Sequence, residues 1–320
     1  MSSSLSSSSS SIDVRAFRRS DREHLTRLVN AHVAAVIPGV SVSTNAVLSQ
    51  LEREPSEFIV DPWVAERATL VAEQRGRVVA AAHLLRYAAD DRVGEAYRDL
   101  GEIRWCLFWP AAPFWPDAEA AAERLLHVCL AQLDRWGVAR QAADGALPAP
   151  GVYGVPEQWP HVRALYTRAG FVQTGRTEII WLATLDDLPR PAAAPISGLR
   201  LRRSVGTSGT RLEAVLDERV LGFIEAETRE DAGRLPQHGG WADIGNLAVS
   251  EPYRRQGLGT WLVGQAAGWL RLGRIERVLD YTWPEETACG AFLAHVGFSE
   301  LTRTARGWSR TPGSGASGPA

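Results

Sequence analysis

Residues 241–263 read Trp-Ala-Asp-Ile-Gly-Asn-Leu-Ala-Val-Ser-Glu-Pro-Tyr-Arg-Arg-Gln-Gly-Leu-Gly-Thr-Trp-Leu-Val. An apolar strand, Ile244 to Val249, passes through a short turn into Arg254-x-x-Gly257-x-Gly259-Thr260. The residues that follow carry Leu258, Trp261, Leu262, Ala266, Trp269 and Leu270 on one stripe, the 3.6-residue spacing of an amphipathic helix. A strand that feeds glycines at a helix N-terminus makes an anion cradle. Amides without side chains in the way converge there, and the helix dipole adds partial positive charge. The stretch has no Gly-Lys-Ser/Thr and no three-glycine fingerprint, which excludes the P-loop and dinucleotide-binding readings.

The context of these glycines adds to the signal. The strand carries Asn-Leu-Ala-Val and the turn carries Glu-Pro-Tyr-Arg-Arg. Downstream comes Ala291-Phe-Leu-Ala-His-Val-Gly-Phe298, the end of a second helix closed by Gly-Phe. Together they resemble the acetyl-CoA loop of the Gcn5-related N-acetyltransferase (GNAT) superfamily, written Gln/Arg-x-x-Gly-x-Gly/Ala, with Arg254 in first place. The alternative is an ordinary β-α turn whose glycines only permit tight packing. The resemblance implies acetyl-CoA as co-substrate and an α/β (α+β) fold, a mixed, mainly antiparallel sheet flanked by helices. It places Leu247, Ala248 and Val249 along the thioester and pantetheine arm, Leu247 and Val249 through strand amides. It places Arg254, Arg255, Gln256, Gly257, Leu258, Gly259 and Thr260 around the pyrophosphate.

The plan is present twice. Gly101 to Trp109 can be laid on Ala242 to Ser250 without a gap, Asp117 to Gly137 falls on the helix after Gly257, and Val162 to Phe171 matches 291–298. The expected layout is a serine-rich tail over 1–11, a first domain over 12–188, a Pro/Ala linker over 189–197, a second domain over 198–310 and a flexible tail over 311–320. In the first copy Ile12 to Arg18 opens as a strand, and Asp21 can cap a helix carrying Leu25, Leu28, Val29 and His32. A second helix spans about Thr44 to Arg53. A hairpin turns at Arg75-Gly76, and a last hairpin is expected from Phe171 to Leu185. The second copy passes from its first strand almost directly into the hairpin Arg211–Val215 and Val220–Glu227, so two helices are missing. In the gap-free alignment Gly257, Arg254 and Glu251 fall on Pro116, Pro113 and Pro110. Proline has no amide hydrogen to donate. The first copy therefore keeps the fold and loses the cradle. This layout is similar to that of mycothiol synthases and other actinobacterial two-domain acetyltransferases.

Transfer of an acyl group to an amine needs a polarised thioester, a base for the ammonium and a proton for the thiolate. Some members of the family place a glutamate six residues before the valine matched to Val249, which is Asp243 here. Strand parity puts Asp243, Gly245, Leu247 and Val249 on one face. Asp243 is thus a candidate base, acting directly or through a water; the alternative is a solvated residue at a strand's start. The tyrosine that many members use as acid falls at Leu293, and the family asparagine at Glu286. Tyr281, near the end of Val278–Thr282, is the candidate substitute; its alternative is an aromatic packing on the sheet. Trp105, Trp109 and Trp115 cluster near the lost loop as packing or as an aromatic-lined pocket.

A formal net charge of −2 over 320 residues, with no lysine among the basic residues, excludes a basic nucleic-acid face and a lysine nucleophile. Cys106, Cys129 and Cys289 give neither a disulfide framework nor a metal pair, and His238 and His295 have no partner at ligand spacing, so no metal is expected. No apolar run is of membrane-spanning length and the tail has no basic leader, which points to a cytoplasmic protein without membrane or nucleic-acid partners. The expected activity is an N-acyltransferase taking acetyl from acetyl-CoA to a small-molecule amine by direct attack, with the cofactor bound only in the C-terminal domain. The other readings are a non-catalytic acyl-CoA-binding or regulatory protein, and a protein N-acetyltransferase.

Overall fold

The computed structural model describes residues 11–53, 61–110, 116–229 and 240–312. The expected tails lie largely outside them, as do Pro113, Trp115 and His238. The chain forms two compact units, one of 1–148, 152–175 and 305–320, the other of 149–151 and 176–304. Among the described residues no helix is long and apolar enough to cross a membrane.

The first unit runs β1 (Asp13–Ala16), α1 (Arg22–Val36), α2 (Thr44–Glu52), β2 (Val64–Gln74), β3 (Arg77–Tyr87), β4 (Leu100–Phe108), α3 (Ala118–Trp136), β5 (Arg140–Ala143), β6 (Val155–Pro156), α4 (Pro160–Arg168) and β7 (Val172–Gln173). It is completed by β15 (Trp308–Arg310) from the end of the chain, and its sheet is ordered β1-β2-β3-β4-β5-β15-β7. Arg75 and Gly76, both at positive φ, make the expected β2–β3 turn. Asp21 sits at the N-cap of α1 but makes no capping bond: Arg15 takes both its oxygens at 2.7 and 2.9 Å, and Arg18 N donates to it at 2.7 Å. A charge-assisted fork outcompetes a single amide. Ser43 caps α2 through Ala46 N at 3.1 Å.

The second unit contains β8 (Thr177–Thr184), β9 (Arg200–Val205), β10 (Thr210–Leu216), β11 (Arg219–Arg229), β12 (Gly240–Val249), α5 (Leu258–Leu272), β13 (Ile275–Thr282), α6 (Thr287–His295) and β14 (Ser299–Ala305). Its sheet is ordered β14-β8-β13-β12-β11-β10-β9. As expected, β9 turns straight into β10, closed by Gly206 N to Gly209 O at 2.8 Å, with no helices between them.

The expected Phe171–Leu185 hairpin does not form, and the expected boundaries at 188 and 310 do not match the compact units. β8 pairs antiparallel with β13, Ile179 to Thr282 through Thr184 to Arg277, while β15 pairs with β5 and β7. Each copy gives its last strand to the other copy's sheet. The burial explains the preference: Ile179, Ile180, Trp181 and Ala183 of β8 are all buried, and Trp181 Nε1 donates to Thr282 Oγ1 at 2.8 Å. The linker is also docked. Trp261 Nε1 and Gln265 Nε2 of α5 both donate to Ala192 O, at 3.0 and 3.2 Å.

Candidate functional site

The central strand β12 sets the geometry. It pairs with β11 from Trp241–Arg229 to Val249–Gly222, but the register steps from Ile244–Ala226 to Asn246–Glu225, leaving Gly245 as a bulge. The bulge overturns the expected parity. Asp243 opposes Glu227 and so shares a face with Asn246, opposite Glu225, whereas Ile244, Leu247 and Val249 face α5. The parallel ladder to β13 ends at Asp243–Leu279. Beyond it β12 and β13 splay. Ser250 N donates to Leu221 O on the β11 side at 2.8 Å. By alternation the amides of Asn246 and Ala248 point the same way, and those of Leu247 and Val249 point into the splay.

Asp243 and Tyr281 meet at the base of that opening, Tyr281 Oη donating to Asp243 Oδ1 at 3.0 Å. Tyr281 is thus more than a packed aromatic. Its neighbour Asp280 escaped the sequence reading. Burial pushes the Asp280 carboxyl up to about 7, against a hydrogen bond from Tyr281 N at 2.6 Å, and the charges of Asp243 and Glu286 add to the rise. Leu293 is buried, so no acid is supplied from the family's usual position. Glu286 accepts from Trp283 N at 2.7 Å, and Cys289 is exposed.

The bulge rests on a buried carboxylate that the sequence reading also missed. Glu225 is 0% exposed and accepts from Arg211 Nε at 2.7 Å, Asn246 Nδ2 at 2.6 Å, Thr207 N at 3.2 Å and Ser208 N at 3.1 Å. Burial raises its pKa, but these donors outweigh burial and hold it below the usual glutamate value. They pin the β9–β10 turn over the bulge so closely that a Cβ at Gly245 would fall 2.2 Å from Ser208 Cβ. Only glycine fits there.

At the far end of β12, Glu251–Tyr253 form one 3-10 turn and α5 begins. Arg255 and Gly257 take positive φ, 59° and 79°, on either side of Gln256. Gly257 is the N-cap and offers no capping side chain, and the first intrahelical bond is Trp261 N to Gly257 O at 2.9 Å. The amides of Leu258, Gly259 and Thr260 therefore have no acceptor within the helix. Arg254 Nε folds back on Val249 O at 2.9 Å and Gln256 Nε2 on Pro252 O at 2.9 Å, which fixes the loop. An amide-lined turn at the start of a 15-residue helix, beside an open strand edge, fits a pyrophosphate and its pantetheine arm.

The first unit repeats the framework and fills it. β4 is bulged at Arg104, the residue aligned with Gly245, and its parallel ladder to β5 ends at Ile103–Ala143. The splay is then laced shut. Asp144 N donates to Ile103 O at 2.9 Å, Ala146 N to Arg104 O at 3.2 Å, and Arg104 Nη1 lies 3.3 Å from both Glu102 and Asp144. At the helix start stands Pro116, and the Asp117 carboxylate takes Gln74 Nε2 at 2.8 Å. Trp105 is a core residue, 0% exposed, donating to Gln50 Oε1 at 3.1 Å.

Residues 178–298 match the model of the acetyltransferase (GNAT) family, wholly inside the second unit. This segment is a GNAT-family domain. Solved structures extend the likeness of fold to both units. A tandem GNAT protein from the clavulanic acid biosynthesis pathway matches with a TM-score of 0.61 and 14% identity, over 95% of this chain and 99% of that one. A GCN5-related N-acetyltransferase from Sphaerobacter thermophilus matches at 0.57 and 15% identity, over 93% and 94%. No curated protein matches the sequence significantly. The chain thus has the tandem GNAT fold, an acetyltransferase architecture, with its family-matched domain in the unit that keeps splay, bulge and amide-lined turn together.

Proposed function

We propose that the protein is an acyl-CoA-dependent N-acyltransferase, transferring acetyl to the amine of a small molecule by direct attack, with the cofactor held only in the second unit. One observation carries the reading: the splay of β12 from β13 leads from the Asp243–Tyr281 pair to the uncapped N-terminus of α5. Acetyl-CoA, when bound, supplies the activated thioester. The amides of Arg255 to Thr260 hold its pyrophosphate, and those of Leu247 and Val249 receive the pantetheine arm and the acyl oxygen. Asp243 takes the proton of the incoming ammonium, directly or through a water. Tyr281, hydrogen-bonded to Asp243, orients that carboxylate and returns a proton to the departing sulfur. In the first unit, Arg104 and the 144–146 backbone fill the corresponding opening, and Pro116 removes a donor.

The test is Asp243→Asn, assayed by thiol release from acetyl-CoA over a panel of small amines. Acetyl-CoA affinity should hardly change, while turnover on the best amine falls about a hundredfold or more at neutral pH, the usual contribution of a positioned base. The deficit should shrink as pH rises, because the amine then arrives neutral. An equal loss at every pH would make Asp243 a positioning group, and no turnover of wild-type protein on any amine would point to a binding protein.

A further inference from the structure

The first unit, whose cradle is lost, carries an incomplete polar cluster on the sheet face opposite α3. Register places Thr69 against His83 and His83 against Trp105; Arg67, two residues before Thr69, shares their face, and Arg104 is the bulged neighbour. His83 is 0% exposed and stacks on Trp105 with ring centroids 5.7 Å apart. Its Nδ1 meets Thr69 Oγ1 at 2.9 Å. With the hydroxyl donating to Nδ1, the ring proton sits on Nε2. Among the described residues that atom makes no hydrogen bond, and neither does the buried Nε of Arg67.

Two guanidinium groups flank His83. Burial first, then the guanidinium charges of Arg104 and Arg67, depress the His83 pKa to about 3, so the ring is neutral, and in the tautomer just described Nε2 is its donor. Arg104 is already engaged by Glu102 and Asp144, and Nη2 of Arg67 by Asp61. Arg67 and Arg104 keep 22% and 13% of their side chains exposed, so the cluster reaches the surface. Buried donors without an acceptor are costly and rare in folded proteins.

The second unit shows what completes such a cluster. At the equivalent register Arg211 faces Glu225 and Glu225 faces Asn246, so a carboxylate of the chain itself stands where the first unit has His83. There the guanidinium and the carboxylate meet at 2.7 Å. In the first unit the cationic partners and the donors are present and that carboxylate is not. We propose that this face of the first unit binds a small oxyanion, a carboxylate or a phosphate, which accepts from His83 Nε2–H and Arg67 Nε–H. This site is independent of the acyl-transfer reading.

The experiment is an NMR titration of full-length protein carrying ¹⁵N-labelled histidine, with acetate and with inorganic phosphate in separate series. Saturable displacement of the His83 ring signals is expected; a response to acetate alone assigns a carboxylate ligand, and one to phosphate alone a phosphate. Arg67→Gln, at a part-exposed side chain, should weaken the response about tenfold, the loss of one charge-assisted hydrogen bond. His83→Gln should abolish the saturable heat seen by calorimetry with the same anions. Gly257→Val, which alters only the α5 turn, should leave the His83 response unchanged. No saturable displacement with either anion, or a response undiminished in Arg67→Gln, overturns the proposal.

Discussion

Glu225→Gln isolates what supports the bulge. Oε1 of Glu225 receives Arg211 Nε and Thr207 N, and Oε2 receives Asn246 Nδ2 and Ser208 N. Whichever way the new amide is turned, its NH₂ faces two donors. Breaking one side of a buried ion pair costs about 3–5 kcal/mol; with Arg211 29% exposed and able to rehydrate, the lower end applies, about 3 kcal/mol. With a urea m-value of about 1–3 kcal/mol/M, the midpoint of the second unit's transition should fall by about 1–3 M at neutral pH, followed by tryptophan fluorescence. The pH dependence has a definite sign. The folded-state pKa of Glu225 lies below the ordinary glutamate value of 4.5, so the charged form's contribution is complete above that value and is lost as pH falls through the folded one. The gap between wild type and variant should therefore close in acid. An unchanged midpoint at neutral pH, or a gap undiminished at about pH 3, would refute the reasoning.

Ending the chain after Ala305 removes β15 and exposes the edges of β5 and β7; Trp308 is only 6% exposed, so the first unit should lose about 3–5 kcal/mol, read as an earlier calorimetric transition. An unshifted transition would mean that the strand exchange contributes nothing. Gly268→Leu should lift the linker, because a Cβ there would stand 2.4 Å from Pro191 Cγ. Elastase should then cut within 192–194, where the wild type resists, and equal resistance would show that the linker does not depend on that groove.

Much of this architecture was legible in the sequence. The gap-free alignment of 101–109 on 242–250 proved to be structural, since it lays bulge on bulge, Arg104 on Gly245. The missing helices of the second copy were visible as the short step from β9 to β10. The strand exchange was not legible, because the apolar run Ile179–Ala183 of β8 and the short β15 suit a strand in either sheet, and only long-range pairing selects the partner. Parity failed at Asp243 because a bulge shifts every residue before it to the other face, and a lone glycine in a strand signals a bulge only weakly. Glu225 and Asp280 were missed for a related reason. A carboxylate within a strand reads as solvent-facing until its donors, here from Arg211, Asn246, two turn amides and Tyr281 N, are brought to it by the fold.

The central claim is that acyl-CoA binds once per chain, at the α5 turn, and isothermal titration calorimetry of full-length protein with acetyl-CoA tests it most directly. The account predicts a stoichiometry near one and loss of the heat in Gly257→Val, whose side chain could not hold a φ of 79° without strain. A stoichiometry of two, or heat that survives Gly257→Val, would contradict it.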